Sequence, residues 1–194
     1  DLFRPYTVAA GVAIVLLFAF HGATFLTLRT TGDLSERAAA AARRLAIPAA
    51  AVGALALIWT VAVAVDRNDK DLFPPLLPAL LGIAAFALAA YLVFARRSGA
   101  AFTMTALGTV LFVATLFTSL YPRVMVSSTD FANSLTIDSA SSSHYALGVM
   151  TVVALIVTPI VLLYQGWTYH VFRARLSSEA EPAPADLVPR ETGA

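Results

Sequence analysis

The stretch that decides the fold is residues 145–169, which read YALGVMTVVALIVTPIVLLYQGWTY. It contains no Asp, Glu, Lys or Arg, and it exceeds the roughly 20 apolar residues with which an α-helix crosses about 30 Å of hydrocarbon. Lipid offers no hydrogen-bond partner to the backbone, so a segment of this kind is stable in a bilayer only as a helix. The stretch therefore predicts a transmembrane helix.

Four further stretches of the same character precede it, at about residues 5–28, 45–65, 76–95 and 101–120. The composition agrees, because 59% of the 194 residues are hydrophobic, 13% are charged and the mean hydropathy is +0.78. A soluble domain has about 45–50% apolar and about 25% charged residues. We therefore predict an all-α integral membrane protein, a bundle of about five transmembrane helices over residues 1–176.

Charge and cysteine content exclude several functions. The formal net charge of +1 gives no basic excess for nucleic acid. The absence of cysteine excludes disulfides, thiol chemistry and cysteine-ligated metals. No glycine-rich phosphate loop precedes a predicted helix, and no acidic or basic residue lies inside a span. The last point argues against a proton relay or voltage sensor built from this segment alone.

The arginines predict an orientation. Five crossings place most of them on one side of the membrane, whereas the other side receives fewer cations, two of them beside aspartates. The positive-inside rule then puts the N-terminus of the chain outside and its C-terminus in the cytoplasm. The first group is Arg29, Arg37, Arg43, Arg44, Arg96, Arg97, Arg173 and Arg175; the second is Arg4, Arg67, Lys70 and Arg123.

The segments between the spans differ in character. Residues 29–44 are charged and alanine-rich, and we interpret them as an inner loop with room for a short surface helix. Residues 121–143 form a long, serine-rich segment that we predict to be an ordered outer loop. Residues 177–194 predict a disordered cytoplasmic tail. The chain begins with Asp1, and we interpret it as a piece of a longer protein.

Few residues could carry chemistry. No two of His21, His144 and His170 are three or four positions apart, so no helical metal pair exists. A haem between His21 and His170 requires ligands at one level, and their estimated depths differ by roughly 7 Å. Two interpretations of His21 stay open: a hydrogen-bonded contact between helices, or a residue that faces a partner subunit or a quinone. Pro159 predicts a kink in the last span.

Several motifs resemble the C-terminal part of subunit II of the cytochrome bd quinol oxidases. Residues 121–128 (YPRVMVSS), 133–137 (NSLTI), 140–143 (ASSS) and 158–164 (TPIVLLY) match its outer loop and last helix, and residues 21–30 (HGATFLTLRT) match an earlier helix. The resemblance covers residues 2–176. Its outer-loop residues are Tyr121, Pro122, Met125, Ser127, Ser128, Ser134, Leu135, Thr136, Ser141 and Ser142.

The resemblance implies the last five spans of an eight-span subunit in a bacterial plasma membrane. The family's complex oxidises quinol and reduces dioxygen to water, with haem b and haem d held by subunit I. The expected partners are that subunit, small accessory subunits, lipid and quinol. This chain would supply no catalytic residue and no haem ligand, although it could contact a quinone. Two alternatives are half of a multi-span transporter, with Pro159 as its helix break, and a haem- or quinol-binding subunit in its own right.

Overall fold

A computed structural model of the chain describes residues 4–68, 71–127 and 130–174. Within these ranges, five helices are long and apolar enough to cross a membrane. They confirm the predicted all-α membrane architecture. Ser128, Arg175 and the predicted tail lie outside the described residues. The five helices are α1 (Pro5–Arg29), α2 (Gly32–Asn68), α3 (Phe73–Phe94), α4 (Ser98–Leu120) and α6 (His144–Val171), with a single-turn α5 (Ile137–Ala140) before the last.

The structure corrects the interpretation of residues 29–44 as a loop. Thr30 and Thr31 alone separate α1 from α2, and Gly32 turns the chain with φ 63°. The 37 residues of α2 form a helix about 55 Å long, which is well beyond the thickness of the hydrocarbon. The run Ala38–Ala42 favours helix strongly, and Ala38 and Ala42 are buried. The hydropathy of the sequence located the apolar span within α2, but it did not locate the residue at which α2 begins.

Helices α1 to α4 pack as an antiparallel bundle in which each helix contacts the next and α4 returns to α1. Its core is built of alanines around a few large side chains, among them Phe20, Leu57 and Phe86. Small residues let helices approach closely in a membrane. Gly108 shows this most clearly, because a Cβ there would lie 2.7 Å from Cε1 of Phe86. The small residues of α2 that are buried are Ala38, Ala42, Ala46, Ala49, Gly53, Ala56 and Ala64.

The segment between α4 and α6 is ordered where the structure describes it. Strands β1 (Arg123–Met125) and β2 (Leu135–Thr136) pair antiparallel, and a 3-10 turn at Phe131–Asn133 lies between them. The amide of Ile137 donates to the carbonyl of Pro122 over 2.9 Å, which ties the end of the segment to its beginning. A small hairpin at the end of α4 therefore connects α4 to α6.

Helix α6 stands apart from the bundle. Its span shows no buried residue in the structure, whereas 28–44% of each span of α1 to α4 is buried. The contacts that join it to α1 involve Arg29: Nη1 donates to the carbonyl of Arg173 over 3.3 Å, and the guanidinium lies 5.8 Å from the ring centre of Tyr169. Helical structure continues through Pro159, and the kink predicted there stays a prediction.

Candidate functional site

His21 lies between two helices of the bundle. Its Nδ1 is 2.7 Å from Oγ1 of Thr105 on α4, and its ring stacks on Phe102, with centroids 4.8 Å apart and 23° between the planes. Thr24, one turn further along α1, is buried and places its hydroxyl 3.5 Å from that of Thr105. We call His21, Thr24, Phe102 and Thr105 the His21 cluster. The geometry is that of a hydrogen-bonded contact between α1 and α4.

The second ring nitrogen of His21 takes no part in the hydrogen bonds of the cluster. The Thr105 hydroxyl lies 2.8 Å from the carbonyl of Phe102 and 2.7 Å from Nδ1 of His21, and the tautomer of the imidazole decides whether Nδ1 donates or accepts. Among the residues that the structure describes, Nε2 has no hydrogen-bond partner, and the ring is partly exposed. The cluster can thus form one further hydrogen bond to a group outside it.

The sequence analysis considered a haem bound between His21 and His170, and the described residues do not fit such a haem. His170 lies in the last turn of α6, next to Tyr169, which contacts Arg29. His21 precedes Arg29 by eight residues, about 12 Å of helix, and no contact joins the two histidines. Across residues 4–68, 71–127 and 130–174, no three His, Cys, Asp or Glu side chains form a group that could hold a metal ion.

The outer-loop motif consists largely of turn and capping residues. Ser134 accepts the amide hydrogen of Ser127 through its Oγ, over 3.0 Å. Thr136 and Ser139 form a capping box at the start of α5, in which each side chain accepts from the backbone of the other. Ser143 caps α6 by accepting from the amide of Ala146 over 3.4 Å. These serines and threonines therefore shape the segment.

The other motif residues are placed as follows. Tyr121 and Pro122 are joined by a cis peptide bond directly after α4. Tyr121, Met125 and Leu135 expose 61%, 66% and 46% of their surface, so the hairpin presents an apolar side. Ser141 donates to the carbonyl of Asp138 over 3.4 Å, and Ser142 follows it as an exposed residue. The structure brings none of these residues near His21.

Sequence reasoning missed Phe102 and Thr105, the partners of His21. They are three positions apart on α4 and so share a helix face, which is a weak signal in a span rich in Thr and Phe. It also missed that Arg43 on α2 and Arg96 in the turn between α3 and α4 line one cavity with Glu36. No pattern within one segment could have revealed that, because the two arginines are far apart in the chain.

The fold defines a multi-pass helical membrane protein, and the described part of the chain holds no group of three metal-ligating side chains. Residues 1–172 match the family described as cytochrome bd terminal oxidase subunit II. The chain therefore belongs to the cytochrome bd terminal oxidase subunit II family, and the resemblance stated from its motifs is confirmed.

Three relatives illustrate the match. Cytochrome bd ubiquinol oxidase subunit 2 of Bacillus subtilis (strain 168) is 39% identical over 178 residues, which cover 91% of this chain and 52% of the relative. Cytochrome bd-I ubiquinol oxidase subunit 2 of Escherichia coli (strain K12) is 31% identical, with coverage of 92% and 55%. Probable cytochrome oxidase subunit 2 of Haemophilus influenzae is 28% identical, with coverage of 92% and 54%. The chain spans about half the length of these relatives.

Proposed function

We propose that this chain is the C-terminal part of the supporting subunit of a cytochrome bd-type terminal oxidase. The complex would oxidise quinol and reduce dioxygen to water in a bacterial plasma membrane. The observation that carries the proposal is the family match over residues 1–172. The names of the relatives, which are subunits of ubiquinol oxidases, support the substrate class.

A supporting role suits the side chains within the bundle. The five predicted spans carry no acidic or basic residue. His21 and His170 lie at different levels, which does not suit two ligands of one haem iron. We therefore assign haem b and haem d to subunit I, and no catalytic residue to this chain.

The separation of α6 from the bundle supports assembly with a larger body. An apolar helix of 28 residues whose span buries nothing leaves its whole surface for lipid or for other helices. In the complex, the remainder of the subunit, subunit I or an accessory subunit would supply neighbours for part of that surface. Close packing and a few hydrogen bonds would hold them together.

His21 is the residue of the bundle best suited to contact a quinol or a partner. Its Nε2 has no hydrogen-bond partner among the described residues, and its ring is partly exposed, so a group from outside the bundle can reach it. A quinol oxygen or a polar group from another helix would satisfy its hydrogen-bonding capacity. The hydrogen bond to Thr105 and the stacking on Phe102 would hold the ring in place for that contact.

The arginines support the proposed orientation. The end of α1, the start of α2, the turn between α3 and α4 and the end of α6 lie at one end of the structure, which we call the arginine-rich end. Placing this end in the cytoplasm follows the positive-inside rule. The N-terminus of the chain and the hairpin of β1 and β2 then lie at the outer face.

The test uses both complete subunits, co-expressed with an affinity tag on the subunit that contains this sequence. The purified complex should show haem b and haem d absorption and quinol-dependent oxygen consumption. His21→Ala and His170→Ala should each leave the haem spectrum unchanged. Loss of a haem band in either variant, or a haem bound to the tagged subunit purified alone, would contradict the proposed role.

A second measurement decides what His21 faces. Quinone extracted from the purified complex is counted per haem d in the wild type and in His21→Leu. A fall in quinone content supports a quinone contact. Unchanged quinone content together with easier dissociation of the subunits supports a partner contact instead. If neither property changes, His21 is a contact between α1 and α4 and nothing more.

A further inference from the structure

A cavity of about 410 Å³ opens at the arginine-rich end of the bundle. It lies between the last turns of α1, the first turns of α2 and the connection from α3 to α4. Six of its lining residues are polar or charged: Thr24, Thr27, Glu36, Arg43, Arg96 and Ser98. Such a concentration of charge is unusual in a chain with 13% charged residues, so the cavity merits a chemical explanation.

The charged groups that line the cavity are available to a ligand. Within the described part of the chain, Glu36, Arg43 and Arg96 form no ion pair. This contrasts with Asp33 and Arg37 on the same helix, whose charged atoms lie 3.9 Å apart. The cavity therefore combines two guanidinium groups and one carboxylate that have no protein counter-ion among the described residues.

The backbone fixes the position of Arg96. Arg96 follows the C-terminal end of α3 and has the left-handed backbone conformation, with φ 56°. The amide of Arg97 donates to the carbonyl of Leu92 over 2.9 Å. The amide of Arg96 itself donates to Val93 over 3.1 Å, which completes a Schellman motif. The motif directs the chain from α3 into α4 within a single tight turn. Arg96 and Ser98, the first residue of α4, therefore lie on the same wall of the cavity.

The depth of the cavity matches that of lipid headgroups. Thr27 is two residues before the end of α1 at Arg29, and Ser98 begins α4, so the cavity lies where spans leave the hydrocarbon. Basic pockets between transmembrane helices at such a level bind the headgroups of phospholipids. Val93, Ala39 and Ala42 supply an apolar wall to the same cavity, which suits the glycerol end of a lipid.

We propose that this cavity binds the headgroup of a phosphatidylethanolamine. Guanidinium groups bind phosphate oxygens in a fixed, often bidentate geometry, so Arg43 and Arg96 would hold the phosphodiester. Glu36 would accept hydrogen bonds from the ammonium group. A purely anionic headgroup would offer no cation to Glu36. Its own negative charge would also be repelled by the Glu36 carboxylate. The combination of two cations with one anion thus selects a headgroup that carries both charges, whatever reaction the complex catalyses.

The chain offers matched controls for the test. Arg44 and Arg97 are the immediate neighbours of Arg43 and Arg96, carry the same charge and do not line the cavity. The complete complex is reconstituted in nanodiscs that contain equal parts of phosphatidylethanolamine and phosphatidylglycerol. It is then extracted into detergent, and the lipids retained on the protein are counted by native mass spectrometry.

We expect the wild type to retain phosphatidylethanolamine in preference to phosphatidylglycerol. Arg43→Gln and Arg96→Gln should each weaken this retention about fivefold, since a basic residue near a membrane surface contributes roughly 1 kcal/mol. Arg44→Gln and Arg97→Gln should change it less than about twofold. Glu36→Gln should shift the preference toward phosphatidylglycerol. Size-exclusion profiles and unfolding temperatures confirm that each variant is folded.

Four results would overturn the proposal. An equal loss of retained lipid in the lining and the control variants would show that the general surface charge attracts the lipid and that the cavity does not bind it. Preference of the wild type for phosphatidylglycerol would show an anionic lipid site. Release of the lipid by millimolar inorganic phosphate would show a site for free phosphate. No retained lipid in the wild type would show that protein covers the cavity in the complete complex.

Discussion

The imidazole of His21 and the hydroxyl of Thr105 join α1 to α4 through a hydrogen bond of 2.7 Å. The two residues lie 84 positions apart in the chain, so the bond closes the bundle between its first and last helix. It lies in a bilayer span, where no water replaces it, and this makes it the polar contact of the bundle most open to testing by mutation.

Thr105→Val should destabilise the bundle because it removes the hydroxyl that is hydrogen-bonded to Nδ1 of His21. Hydrogen bonds between membrane helices contribute about 0.6 kcal/mol on average, and an unpaired buried donor or acceptor costs about 1–3 kcal/mol, so we expect a loss of about 1 kcal/mol. Thr105→Ser keeps the hydroxyl and should retain most of the stability. Unfolding of the complete complex by SDS in mixed micelles measures both variants. Equal effects of Val and Ser would mean that packing, and not the bond, is lost.

Gly108→Ala should destabilise the contact between α3 and α4. The added Cβ would lie 2.7 Å from Cε1 of Phe86, a buried ring with little room to move. Overpacking of this kind costs about 1–3 kcal/mol. Gly11→Ala on α1 is the matched control, because nothing lies within 4 Å of its added Cβ and alanine favours helix. The same unfolding assay should show loss for the first and no loss for the second, and Phe86→Leu should rescue Gly108→Ala.

Arg96→Gly should stabilise the connection from α3 to α4. Arg96 has φ 56°, a conformation that glycine adopts without the steric cost of a Cβ. We expect a gain of about 1 kcal/mol in the free energy of unfolding, measured in detergent without added phospholipid so that the loss of the guanidinium does not contribute. Arg97→Gly removes the same charge at φ −96° and should give no gain. A gain of equal size at both positions would attribute the effect to charge.

Arg29→Gln should weaken the contacts between the bundle and α6. The guanidinium donates to the carbonyl of Arg173 and stacks near the rings of Phe25 and Tyr169. Spin labels on α1 and α6 of this chain should give a broader distribution of distances in the variant. Arg173→Ala is the control, because Arg29 contacts the backbone of that residue and not its side chain. A distribution as narrow as that of the wild type in Arg29→Gln would show that other contacts position α6.

The sequence predicted the spans well because hydropathy depends on local composition. It failed at residues 29–44, where charged side chains suggested a loop although Ala38 and Ala42 continue the buried face of α2. Further along α2 the buried alanines include Ala42, Ala46 and Ala49, because a helix face follows alternating steps of three and four residues.

The site was less predictable than the fold because its residues come from separate helices. His21 could be singled out as a polar residue in an apolar span, but its partner Thr105 is one of many hydroxyl residues. Most of those bond to a carbonyl of their own helix, as Thr109 does to Thr105 and Thr115 does to Leu111. Which threonine meets a histidine depends on the rotation of α4 about its axis, and local pattern does not determine that.

The isolation of α6 bears on how rigidly the chain holds its last helix. Since the first four helices bury one another without it, their packing does not depend on where α6 lies. A change in the surroundings of α6 can therefore shift this helix while the alanine-rich core keeps its arrangement.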